Sequence, residues 1–262
     1  MNRVLSIIEA IFLGFVQGFT EWLPISSSGH LVLFQQFFSL EVPVLFDIVV
    51  HLGTLLALAI VIWRDIFSVL SAFSSFNFHS ESGRLLVFLF VGTLATGLFG
   101  YFFGYFLLPL FNNLFVIGIG FIFTGFLLVL SRINVRRSSL GFFSSVAIGL
   151  LQGASIIPGV SRSGSTISTA LFFGISRESA ARYSLLLSFP AIIGAFIFDI
   201  GEIHLTDVSF SLFFLGFLSS FVFGYFGLRL LFKTLSKKKF HLFSYYCFGL
   251  GILSILFGLL SL

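Results

Sequence analysis

Charged side chains are scarce in this sequence. They make up 9% of 262 residues, against about 25% in a soluble domain, which excludes a surface that faces water over most of its area. There is one cysteine, Cys247, so disulfide and zinc-cysteine frameworks are excluded within one chain. What is present is apolar: 58% hydrophobic residues, 41 of them Phe, and a mean hydropathy of +1.13. The sequence describes an all-α polytopic membrane protein, and the few polar side chains kept inside such a chain are functional candidates by default.

A helical span needs roughly 17–25 mainly apolar residues. Six stretches qualify, at about 44–63, 85–106, 114–131, 183–200, 208–228 and 242–262. Two more, at about 4–19 and 141–157, run into segments rich in Pro, Gly and Ser (Pro24 to His30, Pro158 to Thr166) and then into a second short apolar piece. Broken helices are tolerated at membrane depth only where protein or a polar cavity surrounds them, so both are expected to be re-entrant hairpins. Arg3 followed by an apolar run resembles a signal peptide, but Glu9 interrupts the run and no small-residue cleavage site follows; cleavage is not expected.

Cytoplasmic loops are enriched in Lys and Arg. With both termini outside, the inner loops hold Arg64, Arg84, Arg132, Arg136, Arg137, Arg177, Arg182, Arg229, Lys233, Lys237, Lys238 and Lys239, which is 12 of the 14 basic residues. The net charge of +4 is therefore a topology signal, and no nucleic-acid partner is implied. Each half then reads as one hairpin plus three spans, and three is odd, so the halves form an inverted-topology repeat. Repeat 1 covers about 1–131, repeat 2 about 141–262, and a basic linker 132–140 joins them in a single membrane domain, 1–262. Gly14-Phe15-Val16-Gln17-Gly18 aligns with Gly149-Leu150-Leu151-Gln152-Gly153, and Pro24 and Ser28-Gly29 with Pro158 and Ser163-Gly164.

Hairpins entering from opposite faces would bring their polar tips together. On the first, Gln17 and Glu21 share a helix face at i,i+4, where they would hold a divalent cation or orient a base. An unperturbed histidine has a pKa near 6.5, which would suit His30 to proton transfer, and Ser26, Ser27 and Ser28 offer a nucleophile. On the second, Ser161, Ser163, Gly164, Ser165 and Thr166 favour an anion-binding nest, and Arg162 adds a fork suited to phosphate. Each feature has a plainer reading. The Gln/Glu pair and the Gly/Ser turns would serve helix packing, but an unpaired Arg inside an apolar segment costs about 2.5–3.5 kcal/mol or more and favours function. Glu9, near a helix start, reads as structural or as a support behind the site. Asp47 and His51, also at i,i+4, are either packing residues or a supporting or metal pair, with packing favoured. Arg177, Glu178 and Arg182 read as a solvated, orienting set. A carboxylate, His and Ser opposite a phosphate cradle suggest phosphoryl chemistry on a lipid-soluble phosphate.

At these tips the chain resembles the undecaprenyl-diphosphate phosphatase (bacitracin-resistance protein) family. The resemblance rests on Gln17-x-x-x-Glu21, on Pro24-Ile25-Ser26-Ser27-Ser28-Gly29-His30, and on Pro158-Gly159-Val160-Ser161-Arg162-Ser163-Gly164-Ser165-Thr166. It extends through Phe46-Asp47, Leu52-Gly53-Thr54-Leu55, Ser176-Arg177-Glu178, Arg182-Tyr183-Ser184 and Pro190. It implies hydrolysis of undecaprenyl diphosphate to undecaprenyl phosphate and inorganic phosphate, with recycling of the lipid carrier for peptidoglycan and bacitracin resistance. It further implies a divalent cation, Mg2+ or Ca2+, and a bacterial inner-membrane site opening to the periplasmic side. Carried over, the acidic motif falls on Gln17 and Glu21, the nucleophile on Ser27, proton transfer on His30 and phosphate binding on Arg162. Ser26, Ser28, Ser161, Ser163, Gly164 and Thr166 would line the substrate. Many members have Glu where this chain has Gln17, which shifts the burden to Glu21. The expected partners are the polyprenyl diphosphate lipid and the bilayer, with a homodimer left open. An acid-phosphatase-type enzyme fits poorly, because counting from Ser161-Arg162 reaches Ser168 and Phe172 where His and Asp are required. A transporter or flippase for a phosphorylated lipid is the alternative from another class.

Overall fold

The computed structural model describes residues 3–107, 109–110, 113–133, 138–199 and 210–260. Arg136 and Arg137 lie outside them. The described chain is helical apart from one two-residue strand pairing. Helices α1 (Ile7–Glu21) and α2 (Ser27–Phe37) form the first broken pair, and α7 (Phe142–Ala154) and α8 (Arg162–Phe172) the second. Between them stand α3 (Val44–Val61), α4 (Trp63–Ser74), α5 (Glu81–Leu107) and α6 (Leu114–Leu130). After them come α9 (Arg177–Asp199), α10 (Phe210–Ser236) and α11 (Phe243–Leu260). Among the described residues five segments are long and apolar enough to cross a membrane: α3, α5, α9, α10, and α11 with its preceding turn. The sixth expected span, α6, has 17 residues, the lower end of the usual length.

Both broken pairs turn back to where they started. Strand β1 (Arg3–Val4), just before α1, pairs with β2 (Leu40–Glu41), just after α2. At the second pair, the Ser138 N–H, before α7, donates to the Gly174 carbonyl, after α8, at 3.0 Å. Entry and exit are therefore tied together, and each pair is a hairpin with its turn at the far end. Phe12 of α1 meets Phe34 of α2 edge-on at 4.9 Å near the first open end, and Ser6 and Glu9 form a capping box that starts α1. Glu9 thus takes the first of its two readings, as a helix cap.

The hairpins pack across the halves. Gly14 and Gly18 set α1 against Gly216, Ser220 and Gly224 of α10, while Gly149 sets α7 against Gly92 and Ala95 of α5. Small residues four apart let helix backbones approach in a membrane, where apolar surface itself supplies no preference between protein and lipid. Hydroxyls add to each contact: Ser219 Oγ donates to the Ile11 carbonyl at 2.8 Å, and Thr96 Oγ1 to the Gly149 carbonyl at 2.9 Å.

Helix α4 was not anticipated. Its 12 residues are too few to span and carry Arg64 and Asp65, so the search for long apolar runs passes over it. Phe67, Leu70 and Phe73 are exposed while Val69 and Ala72 are buried against the bundle, the pattern of a helix lying in the membrane interface. Arg182, at the start of α9, bonds Asp65 of α4 at 2.7 Å and Glu81 of α5 at 3.4 Å, so three helices are tied together at one end of the bundle.

Candidate active site

Glu21 is the last residue of α1, and Ser27 the first of α2. The turn between them reverses the chain through Ser26, which caps α2 with φ +63°, a left-handed conformation costing a non-glycine residue about 1–3 kcal/mol. That turn brings the Ser27 Oγ to 2.5 Å from Glu21 Oε2, to which it donates. Gln17 Nε2 donates to the same oxygen at 3.0 Å.

The other carboxylate oxygen belongs to the second hairpin. Arg162, first residue of α8, places Nη2 2.6 Å from Glu21 Oε1, and its guanidinium lies over the Trp22 ring at 4.9 Å. Both partners are buried, at 13% and 7% side-chain exposure, so removal of either would leave an uncompensated charge, at a cost of about 3–5 kcal/mol. Arg162 Nη1, Gln17 Oε1 and Trp22 Nε1 are buried without a hydrogen-bond partner. The pair therefore leaves one guanidinium arm, one amide oxygen and one indole N–H available to a ligand.

The tips hold each other in two further places. Ser163 Oγ donates to the Leu23 carbonyl at 3.0 Å. A Cβ on Gly29 would lie 3.0 Å from the Gly159 Cα, and Gly159 has φ +89°, so both positions require glycine for close approach. Helices α2 and α8 thus start at the same place. Their N-termini carry about half a positive charge each and form an anion-binding environment with Glu21 and Arg162 between them.

The expected site residues divide into groups. Gln17, Glu21, Ser27 and Arg162 converge. Ser26 and Ser161 spend their hydroxyls as helix caps, accepting from Gly29 N at 3.3 Å and Gly164 N at 3.1 Å, and Ser28 Oγ lies 3.3 Å from Ser26 Oγ. Thr166 turns away, donating to the Arg162 carbonyl at 2.8 Å with its hydroxyl 2.5 Å from Ser184 of α9.

His30 stays at the first tip but turns toward Tyr246. Its Nδ1 is 2.7 Å from the Ser26 carbonyl and its Nε2 2.7 Å from the Tyr246 hydroxyl. A carbonyl only accepts, so Nδ1 carries the proton and Tyr246 donates to Nε2. Both nitrogens are engaged, neither with Ser27. Instead His51 of α3 faces the carboxylate, with Nε2 3.9 Å from Glu21 Oε2. Its Nδ1 sits 2.7 Å from the Asp47 carbonyl, which by the same logic leaves Nε2 as its proton-accepting nitrogen. The i,i+4 spacing of Asp47 and His51 was the available signal. Nothing in the sequence marked Tyr246.

Beside the first hairpin runs an apolar cavity of about 580 Å3, lined by Phe12, Phe15, Phe19 and Phe34 with His30 and Tyr246 on its wall. Among the described residues no three His, Cys, Asp or Glu side chains converge on a metal position. Oxygen donors at the site are Glu21 and the unpartnered Gln17 Oε1.

A family model described as bacitracin resistance protein BacA matches residues 10–253. The chain is 41% identical over 266 residues to the undecaprenyl-diphosphatase of Treponema denticola, covering 97% of this chain and 98% of that one. It is 40% identical over 256 residues to the undecaprenyl-diphosphatase of Carboxydothermus hydrogenoformans, covering 93% and 94%. To that of Methanosphaera stadtmanae it is 36% identical over 271 residues, covering 97% and 98%. A match of this extent, over a chain whose two polar tips meet at Glu21 and Arg162, shows that it belongs to the bacitracin resistance protein BacA family.

Proposed function

We propose that this chain hydrolyses undecaprenyl diphosphate to undecaprenyl phosphate and inorganic phosphate, recycling the lipid carrier for envelope polymers, with bacitracin resistance as the family's association. The observation that carries the mechanism is the Ser27 hydroxyl bonded at 2.5 Å to Glu21 Oε2 while Arg162 holds Oε1 at 2.6 Å.

The terminal phosphate would enter between the two helix N-termini and take the free Nη1 of Arg162. Arg162 Nη2 keeps Glu21 Oε1 while its Nη1 reaches the phosphate, so Oε2 stays turned to the Ser27 hydroxyl. Glu21 then accepts the Ser27 proton, and the Ser27 oxygen bonds to the terminal phosphorus. The anhydride bond to phosphorus breaks, and undecaprenyl phosphate leaves. Arg162 stabilises charge on the transferring group. Water then attacks the phosphoserine and releases inorganic phosphate. His51 Nε2 relays the proton held by Glu21, while His30 fixes the Ser26 carbonyl and with it the turn that aims Ser27.

Gln17 Oε1 and Glu21 would hold a divalent cation, Mg2+ or Ca2+. Mg2+ is typically bound by one or two side chains plus substrate phosphates, which suits a site with few protein ligands. The ion would neutralise charge on the diphosphate. The 580 Å3 apolar cavity beside the hairpin would take part of the isoprenoid chain. The basic residues support a placement with Ser236 and its neighbours in the cytoplasm of a bacterial inner membrane and the first hairpin entering from the periplasmic side. Crossed packing of α1 on α10 and α7 on α5 supports the inverted repeat. A homodimer remains part of the proposal only as an assembly to be measured.

Purified protein in detergent, given undecaprenyl diphosphate and a divalent cation, is expected to release phosphate. No release above that of an Arg162→Ala control would overturn this function.

A further inference from the structure

At the basic end of the bundle lies a pocket of about 180 Å3, remote in structure from the tips, with Ser131, Arg132, Arg177, Lys238, Phe240 and His241 in its wall. Four separate elements supply it: the end of α6, the end of α8 at Leu171, the start of α9, and the turn between α10 and α11. Among the described residues no carboxylate lines it. Among the described residues Arg132, Arg177 and Lys238 form no ion pair, whereas Arg182 on the same face has both Asp65 and Glu81.

Orientation of the chain in the membrane does not by itself explain this arrangement. The positive-inside rule requires cations in the loops, but not their convergence around a walled pocket. Helix C-termini account for part of the charge. Helices α6 and α8 end here, each carrying about half a negative charge, and the N-terminus of α9 returns about half a positive one. Against three full positive charges on Arg132, Arg177 and Lys238, an excess of roughly two and a half remains. Lys238 is moreover held at φ +59°, a conformation that a lysine adopts at a cost, and its amide is fixed to the Leu235 carbonyl at 3.0 Å.

We infer that this pocket is a second phosphate-binding site, taking a phosphate group at the membrane face. Its size falls below the roughly 300–1,000 Å3 of drug-sized ligand pockets, which fits a single phosphate or phospholipid headgroup and excludes a whole nucleotide. Its walls join a buried Phe ring and a serine hydroxyl to a cationic rim, as a lipid head at the edge of the hydrocarbon requires. Basic pockets between membrane helices bind anionic headgroups in this way.

The test uses the full chain purified in detergent. Native mass spectrometry would score retention of phosphatidylglycerol against phosphatidylcholine of the same acyl chains, and calorimetry would score inorganic phosphate. The Arg132→Gln/Arg177→Gln variant is expected to weaken binding roughly 30-fold, about fivefold per cation removed. The Lys233→Gln/Lys237→Gln variant, with the same change of charge outside the pocket, should bind as the parent does. Selective retention of phosphatidylglycerol would identify a lipid headgroup as the source, and binding of inorganic phosphate alone a soluble one. Equal weakening by both double variants, or no preference for phosphatidylglycerol together with no phosphate binding, would overturn the proposal. Retained hydrolysis of undecaprenyl diphosphate and an unchanged melting temperature show that a variant is folded.

Discussion

Arg162 and Glu21, 141 residues apart in the chain, meet at 2.6 Å as the contact between two hairpin tips. The pair is both a fastener for the fold and the charge arrangement of the site. Substitutions there act on both, and the variants have to be chosen to separate the two.

Arg162→Lys keeps the charge and loses the planar fork. Lys presents a point charge where Arg offers two arms, so one group can no longer hold Glu21 and reach a phosphate. Phosphate release should fall about 10²–10³-fold, the usual loss on removing one transition-state donor, with the protein still folded by thermal melt.

Ser27→Ala is expected to reduce turnover by at least about 10³-fold, leaving what binding and charge stabilisation alone provide. Ser28→Ala, which removes a hydroxyl whose neighbour is Ser26 rather than Glu21, should keep most of the activity. Full turnover by Ser27→Ala would transfer the attack to water.

The two histidines make opposite predictions. His51→Gln should lower kcat about 10²–10⁴-fold, the range for loss of a proton-transfer group. Tyr246→Phe removes the hydroxyl 2.7 Å from His30 Nε2 and should cost about 1 kcal/mol of stability. It should leave kcat nearly unchanged. A kcat lowered by Tyr246→Phe and unmoved by His51→Gln would return the relay to His30.

Glycines separate by what surrounds them. A Cβ on Gly97 of α5 meets nothing within 4 Å, so Gly97→Ala should stabilise the helix by about 0.5–1 kcal/mol and raise the melting temperature. Gly149→Ala presses on the Gly92 backbone and the Ala95 side chain and should lower it.

Ser236 is exposed, while Cys247, the chain's one cysteine, is buried. Ser236→Cys should therefore react with an impermeant thiol reagent only from the cytoplasmic side. Labelling from outside intact cells would reverse the orientation.

The sequence was most legible where polarity contradicts a membrane setting. Pro24 to His30 and Pro158 to Thr166 interrupt apolar runs, and both interruptions are hairpin turns. Gln17, Glu21 and Arg162 stood out because each is costly in lipid, and all three converge. Helix α4 was invisible because an interfacial helix has neither the length nor the uniform apolarity of a span. His30 stands apart from Ser27 for a geometric reason. Three residues after Ser27, it should share a helical face with it, but Ser27 begins the helix and reaches back to Glu21 across the Ser26 turn. The His30 ring is drawn the other way by Tyr246, whose position 216 residues later no local pattern encodes.

The two tips are not equivalent. The first brings a carboxylate to the meeting point and the second a guanidinium, for where Gln17 is followed four residues later by Glu21, Gln152 is followed by Ile156. A protein assembled from two first halves would set carboxylate against carboxylate, and one from two second halves guanidinium against guanidinium. Like charges at that separation in a dry interior repel by several kcal/mol even at an effective dielectric near 20. Even on a shared scaffold, the two halves of this chain could not stand in for each other at the tips.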